Sequence, residues 1–394
     1  MAHDRTAIVV GAGIGGLTAA VALRRRRWDA TVLERATSLE PVGAGIALAP
    51  NAVRALESIG LGDPVLDLAA LQGPVGLRRP DGRWLVRGDA SMVGPEPTVL
   101  LHRSQLVDLL RGALDDGAVR LGVTVTRVDP GGPSERATVR VRARDDSEEA
   151  GLAADVVVAA DGIDSPVRTA LFPGQPGPVY AGATAWRFVT PEPVAVEPAE
   201  TWGRGSVVGL TPLADGRVYC YLTATLPEGT RFRDEVGELQ RRFGHWHPPL
   251  RALLGDLDPA TLLHHDLRWL KEPLPRYDVG RVALLGDAAH AMTPHLGQGG
   301  AQAIEDAVVL AANLRAAPGS AAVIGPALAA YTAARKGRTQ GVARMSAQVG
   351  AATTWRSPLL VGARDLGMRA VGRWVLPRAA RRLDWILDWQ PPVA

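Results

Sequence analysis

Gly11, Gly13 and Gly16 stand at G-x-G-x-x-G spacing directly after the apolar run Thr6-Ala-Ile-Val-Val10, with Gly15 inside the same turn. In such a turn the first glycine permits a tight reversal. The second lets a pyrophosphate approach the backbone, and the third lets helix and strand pack closely. Leu17 to Arg27 then reads as a helix, whose free N-terminal N–H groups would meet phosphate. Glu34 ends the next strand pattern, Ala30 to Leu33, eighteen residues beyond Gly16. A carboxylate placed there accepts ribose hydroxyls. Together these residues imply a bound dinucleotide, without choosing between a nicotinamide and a flavin.

Two later segments bear on that choice. Asp155-Val-Val-Val-Ala-Ala-Asp161-Gly162-Ile-Asp-Ser165-Pro-Val-Arg168 is a buried strand followed by Asp-Gly, Ser and Arg. Gly280-Arg-Val-Ala-Leu-Leu-Gly286-Asp287-Ala-Ala-His290 runs on through Pro294-His-Leu-Gly297-Gln298-Gly299-Gly300. Together with the first glycine turn, these segments resemble the FAD-dependent aromatic-ring monooxygenases, the family of p-hydroxybenzoate hydroxylase, salicylate hydroxylase and zeaxanthin epoxidase. Within it, the likeness is nearest to the urate hydroxylase branch, over residues 5 to about 340. The resemblance implies tightly bound FAD, NADPH or NADH docking transiently, and O2 as co-substrate. It also implies oxygen transfer to an aromatic or other electron-rich small molecule through a C4a-hydroperoxyflavin. No second strand–G-x-G-x-x-G–helix unit occurs, consistent with a nicotinamide that has no domain of its own.

Carried over residue by residue, the resemblance places FAD against Glu34, Arg35, Ala47, Arg103, Val125, Asp161 and Asp287. The turn Gly297, Gln298, Gly299, Gly300 and Ala301 completes the set. The physical grounds are simple. Asp287 follows a buried strand and can accept a ribityl or ribose hydroxyl, and the glycines that open the helix at Ala301 expose N–H groups. That helix end would favour negative charge on a reduced flavin. Small residues at 43–45 suit a loop beside a moving ring. Asp161 and Arg168 either meet the nicotinamide or pair structurally beneath the flavin.

The substrate side rests on alternation. Along Arg217-Val-Tyr219-Cys-Tyr221-Leu-Thr223, one face carries Tyr219, Tyr221 and Thr223 and the other Val218, Cys220 and Leu222. Tyr219 matches a tyrosine near the substrate in the urate hydroxylase branch, whereas Val207 replaces that branch's arginine. Trp186 and Arg187 would supply a stacking plane and a cation, so the expected catalytic contacts are Tyr219 and Arg187. Trp186, Val207, Tyr221 and Pro294 are expected to line the cavity. Neither His290 nor His295 is placed to serve as a base. His264-His265 and His245/His247 lack partners at metal-ligand spacing, so no metal is expected. The open alternatives are an FAD-dependent epoxidase or reductase of a polyene or polyketide, and a flavin-binding protein without turnover.

These residues need a frame to hold them. The pattern implies an α/β fold: a Rossmann-like FAD-binding domain, an inserted, mostly antiparallel β-sheet substrate domain, and C-terminal helices. The FAD-binding domain would comprise residues 1–72, 96–178 and 273–330. The substrate sheet would comprise 73–95 and 179–272, and the helical region 331–394. Asp145-Asp-Ser-Glu-Glu149 reads as a hairpin tip. The uncharged run Ala316 to Ala334, broken by Pro318, Gly319, Gly325 and Pro326, reads as a loop between helices rather than a span, which needs about 20 continuous apolar residues.

Composition agrees with a globular enzyme: 46% hydrophobic and 22% charged residues, with a formal charge of +3. That balance offers no general field for nucleic acid. Lys271 and Lys336 are the sole lysines, and arginine carries the remaining cationic charge. Cys220 is the single cysteine, so no internal disulfide forms, and a cytoplasmic setting is expected. The opening MAHDRT lacks the order of a signal peptide. Nothing in the sequence sets the oligomeric state.

Overall fold

The β-branched run Arg5–Val10 becomes a central strand of a six-stranded sheet, flanked in parallel by Trp28–Leu33 and Val156–Ala159. Ala7 lies opposite both Ala30 and Val156. Val282–Leu284 extends the sheet in parallel beyond Val156–Ala159, and Val119–Arg120 does so beyond Trp28–Leu33. Parallel strands covered on both faces read as continuous apolar runs, and Val156–Ala159 is buried at every position. The computed structural model describes residues 5–39, 44–71, 75–88, 96, 98–144, 148–315, 323–381 and 383–392.

The opening helix spans Ile14–Arg24, earlier at both ends than its apolar pattern suggests. Its last arginine returns to the body, donating to the Ala30 carbonyl at 3.1 Å. The chain then reverses at Arg27 with φ 65°. Gly11 explains the tight start. It has φ +102°, and a Cβ there would lie 2.5 Å from the Ala160 carbonyl oxygen. Gly16 meets the Gly11 carbonyl still more closely, at 2.0 Å from an added Cβ. Both distances forbid any larger residue.

A seven-stranded sheet forms the second layer, in the order Leu263–Trp269, Val179–Val189, Val218–Ala224, Ser206–Pro212, Ala199–Trp202, Val75–Arg78 and Trp84–Gly88. Its pairings are antiparallel except between Ala199–Trp202 and Val75–Arg78. One face packs Trp186, Phe188, Cys220 and Leu222 against the helices Glu235–Phe243 and Pro248–Gly255. The other face is turned towards the first layer. Antiparallel sheets tolerate such a two-sided arrangement, with one face in a core and the other free to line a cavity.

Helices Gly299–Arg315 and Ile324–Thr353 pack together against the parallel sheet. The second corrects the loop expected over 316–334, because its first residue is Ile324 and residues 316–322 lie outside those described. Gly325 and Pro326 fall in its first turn, where N–H groups have no partner inside the helix, so proline costs little. Strands Ala137–Ala143 and Ala150–Ala154 pair antiparallel, while 145–147 of the expected hairpin tip lie outside the described residues. No described helix is long and apolar enough to cross a membrane.

Candidate active site

Between the two layers lies a cavity of about 510 Å³, within the range of small-molecule sites. Stretches distant in sequence build it: Gly45–Ala47 with Leu100, the inner face of the seven-stranded sheet, Asp287 with the turn 292–300, and the end of the Ile324–Thr353 helix.

The sheet wall follows the alternation expected. Tyr219, Tyr221 and Thr223 line the cavity, while Val218, Cys220 and Leu222 are buried behind them. Tyr219 packs on Gly45 so closely that an added Cβ would lie 2.7 Å from its ring. Gly45 therefore opens a strand that receives the tyrosine, while Gly43 lies outside the described residues. Burial raises the Tyr219 phenol above its ordinary pKa, against the opposing charges of Arg187 and Arg103, so it is held as a donor. Tyr221 lies over Gly209 and gives its hydroxyl to Glu200, whose other oxygen accepts Trp202 Nε1–H at 2.8 Å. Its ring is in the wall, and its hydroxyl is spoken for. Val207 also lines the wall.

Trp186 is a correction. It is fully buried on the opposite face, donating Nε1–H to Glu235 at 2.8 Å and stacking on His264. Successive residues of a strand point to opposite faces, so Trp186 and Arg187 cannot both enter the cavity. Arg187 is the one that does. Its guanidinium has no hydrogen-bond or ion-pair partner among the described residues. His264 is satisfied within the core, with Nδ1 at 2.8 Å from Glu235 and Nε2 at 2.8 Å from Thr184.

On the other wall, Asp287 begins a short helix just past Leu284 and opens on the cavity without a hydrogen bond among the described residues. Burial of its surroundings raises its pKa, opposed by His290, Arg103 and Arg168. Pro294, Gly297, Gly299 and Gly300 also line the cavity, as does Ala47. Gln298 and Ala301 do not present side chains there. Ala301 is in the core, and the Gln298 amide oxygen accepts from Asn51 at 3.0 Å and Gln302 at 3.2 Å. A glycine-bracketed turn that enters a helix must turn some side chains inward, and these two are the ones.

That inward set is a buried polar network. Glu305 accepts from Asn51, Gln302, Arg335 and Arg338 at 2.5–3.0 Å. Asp306 accepts from Arg335 at 2.6 Å, His290 at 2.5 Å and the Gly286 N–H at 3.0 Å. Burial alone would raise the Asp306 carboxyl, but the charges and hydrogen bonds of His290 and Arg335 outweigh it and hold it at about 2. The network ties both cavity-lining turns, at Gly286 and Gly297–Gly300, to the long helix.

Around the first glycine turn, Glu34 accepts the N–H of Ala12 at 2.8 Å and that of Ala36 at 2.9 Å. An added Cβ on Gly13 would meet nothing within 4 Å, and no side chain caps the helix that follows. Open space against free helix N–H groups is what a diphosphate needs, so the residues present fit the group. Arg35 is exposed beside Glu34, and Arg103, exposed at a helix start, has no side-chain partner among the described residues. Val125 sits in the strand Val123–Asp129, whose first N–H bonds the Glu34 carbonyl. Asp161 accepts the Val167 N–H at 3.2 Å and leaves Oδ1 buried without a partner. Arg168 is buried and spends its guanidinium on the carbonyls of Ala288 and Ile163. Those guanidinium hydrogen bonds go to main-chain carbonyls, not to Asp161.

The family described as FAD binding domain matches residues 4–346. The chain belongs to it. Among its relatives, an aurachin C monooxygenase/isomerase of Stigmatella aurantiaca is 36% identical over 92% of this chain and 94% of its own. An FAD-dependent urate hydroxylase of Klebsiella pneumoniae is 37% identical over 78% and 81%. A 2-heptyl-3-hydroxy-4(1H)-quinolone synthase of Pseudomonas aeruginosa is 33% identical over 96% of each chain. Klebsiella pneumoniae HpxO, crystallised with FAD and uric acid, superposes with a TM-score of 0.86 at 29% identity over 96% of each chain. This FAD-binding enzyme is therefore a flavoprotein monooxygenase that consumes NAD(P)H and O2.

Sequence reasoning missed contributors from three places in the chain. Glu200 and Trp202 sit on a short strand with no motif, and Val349 and Thr353 end a helix far along the chain. His295 lines the cavity, although only its adjacency to the glycine turn hinted at this. Its ring presses on Gly350, where an added Cβ would lie 2.5 Å from Cε1. Burial without a neighbouring carboxylate pushes its pKa below the ordinary histidine value.

Proposed function

We propose that this enzyme hydroxylates an aromatic ring that carries an oxygen function on one edge and an apolar group on another. The observation that carries this reading is the pairing of an unpartnered Arg187 with an apolar Val207 on the same cavity wall. A urate-type substrate is polar on every edge, and this wall offers it one cation where that branch has an additional arginine. Ile46, Leu100, Met292 and Val349 continue the apolar lining. Two relatives that span more than nine-tenths of this chain are, by name, an aurachin C enzyme and an alkylquinolone synthase.

In this reading FAD lies from the Gly11–Gly16 turn and Glu34, past Arg35, Val125, Asp161 and Arg103, to Asp287 and the turn Gly297–Ala301. Ala47 flanks its ring, and Gln298 supports it from behind through Asn51. FAD held there would supply the redox chemistry that couples NAD(P)H and O2 to oxygenation of the substrate. The chain's own contribution is placement. Arg187 and the Tyr219 hydroxyl hold the ring oxygen, and the apolar walls keep water from the reacting face. The first N–H groups of the Gly299–Arg315 helix favour negative charge that develops beside them. The same reading assigns residues 1–72, 96–178 and 273–330 to FAD and 73–95 with 179–272 to substrate. Residues 331–394 buttress both, and the lone buried cysteine suits a cytoplasmic setting.

The test is NAD(P)H consumption and product mass across alkyl-bearing quinolones, hydroxybenzoates and urate. Oxygenated product should track NAD(P)H consumption for the alkyl-bearing aromatics. Tighter coupling with urate than with any of them would overturn the reading.

A further inference from the structure

His295 is a polar group in the cavity with no hydrogen-bond partner among the described residues. Nδ1 is buried against Gly350 without a hydrogen-bond partner among the described residues, whereas Nε2, 3.1 Å from the same added Cβ, is not enclosed in that way, in a residue that lines the cavity. A neutral imidazole carries one hydrogen and one lone pair. Nδ1 lacks a partner in either tautomer, so the protein does not select between them, and the polarity of the ligand does. Arg187, by contrast, can only donate. It stands on the sheet wall, whereas His295 stands on the turn Pro294–Leu296 that leads into the Gly299–Arg315 helix. The cavity thus holds a fixed donor on one wall and an adaptable imidazole on another, with apolar surface between.

We propose that His295 accepts a ring N–H of the substrate at Nε2 while Arg187 donates to its ring oxygen, which selects vinylogous amides of the 4(1H)-quinolone type. Such a ring carries its N–H and its carbonyl on opposite edges, joined by a carbon–carbon double bond. A hydrogen bond from N–H to His295 pushes electron density towards the carbon next to the carbonyl. That carbon is the one an electrophilic oxygen attacks. The new C–O bond forms there, and the C–H proton leaves to restore the conjugated ring. The second oxygen atom of O2 becomes water at the expense of NAD(P)H. This assignment rests on the substrate reading above and refines it.

The experiment compares binding of 2-heptyl-4(1H)-quinolone and its N-methyl analogue to the oxidised holoenzyme, followed by perturbation of flavin absorbance. The analogue carries N–CH3 in place of N–H, so it cannot donate there, and His295→Gln separates the lost donor from the added methyl. Native enzyme should bind it about five- to tenfold more weakly, the range of one lost hydrogen bond. In His295→Ala that ratio should fall below about twofold, and His295→Gln, which keeps an acceptor, should restore part of it. FAD content, measured after acid release, should be native in both variants. Equal binding of the two probes to native enzyme, or an unchanged ratio in His295→Ala, overturns the role of His295. If native enzyme binds neither quinolone yet binds urate or salicylate, the substrate reading itself falls, and the inference falls with it.

Discussion

The two walls of the cavity are built on different physical terms. The side formed by the glycine turns works through backbone: Gly299 and Gly300 line the cavity, Gly11 and Gly16 shape the turn before the first helix, and Asp287 sits just past a strand end. The sheet wall works through side chains that alternate across a strand, with Tyr219, Arg187 and Val207 inward and Trp186 and Cys220 outward. Backbone sites leave little room for change, since at Gly16 an added Cβ would lie 2.0 Å from the Gly11 carbonyl oxygen. A strand position tolerates many side chains, because the ladder is held by main-chain hydrogen bonds. On the function proposed above, one wall preserves the cofactor chemistry and the other can be retuned for a substrate.

If that contrast is right, the largest effects belong to the FAD side. Gly16→Val should abolish FAD binding and leave little folded protein, because neither the helix nor the strand backbone can yield. Native flavin content in soluble Gly16→Val would break the comparison. Next comes the support beneath that wall. Arg335→Met removes the shared partner of Asp306 and Glu305 in a dry interior, which should cost about 3–5 kcal/mol of stability by denaturant titration. A loss under about 1 kcal/mol would show the network to be dispensable.

Asp287→Ala should weaken FAD affinity by about 1–3 kcal/mol while the apoprotein keeps its fold, as judged by thermal melting after flavin removal. A flavin dissociation constant equal to the native one would take Asp287 out of the site. On the sheet wall the changes should be smaller and of another kind. Tyr219→Phe should keep FAD and lose about 0.5–1.5 kcal/mol of substrate affinity, with more NAD(P)H diverted to peroxide. Val207→Arg should leave FAD content untouched and weaken binding of alkyl-bearing aromatics. Should either substitution strip the flavin, the division between the walls would be wrong.

Much of the FAD side was readable beforehand, because its signals are local. A glycine turn, the strand before it and the carboxylate eighteen residues on are each recognisable from near neighbours. The polar partners behind the turn were not, since Asn51 reaches Gln298 and Arg335 reaches Gln302 from far along the chain. On the sheet wall, the Val218–Ala224 alternation was legible as a pattern. Pairing Trp186 with Arg187 ignored that same pattern on the neighbouring strand.

By itself the sequence determined the dinucleotide turn, the parallel core strands and the two faces of the Tyr219 strand. Steric limits on φ and the period of a strand act between residues close in the chain. Only the tertiary structure decided that Trp186 turns away from the cavity, that Tyr221 gives its hydroxyl to Glu200, and that His295 enters with Gly350 at its back. Those outcomes depend on how two layers dock. Docking is a sum over contacts between residues tens to hundreds of positions apart, and no local pattern records it.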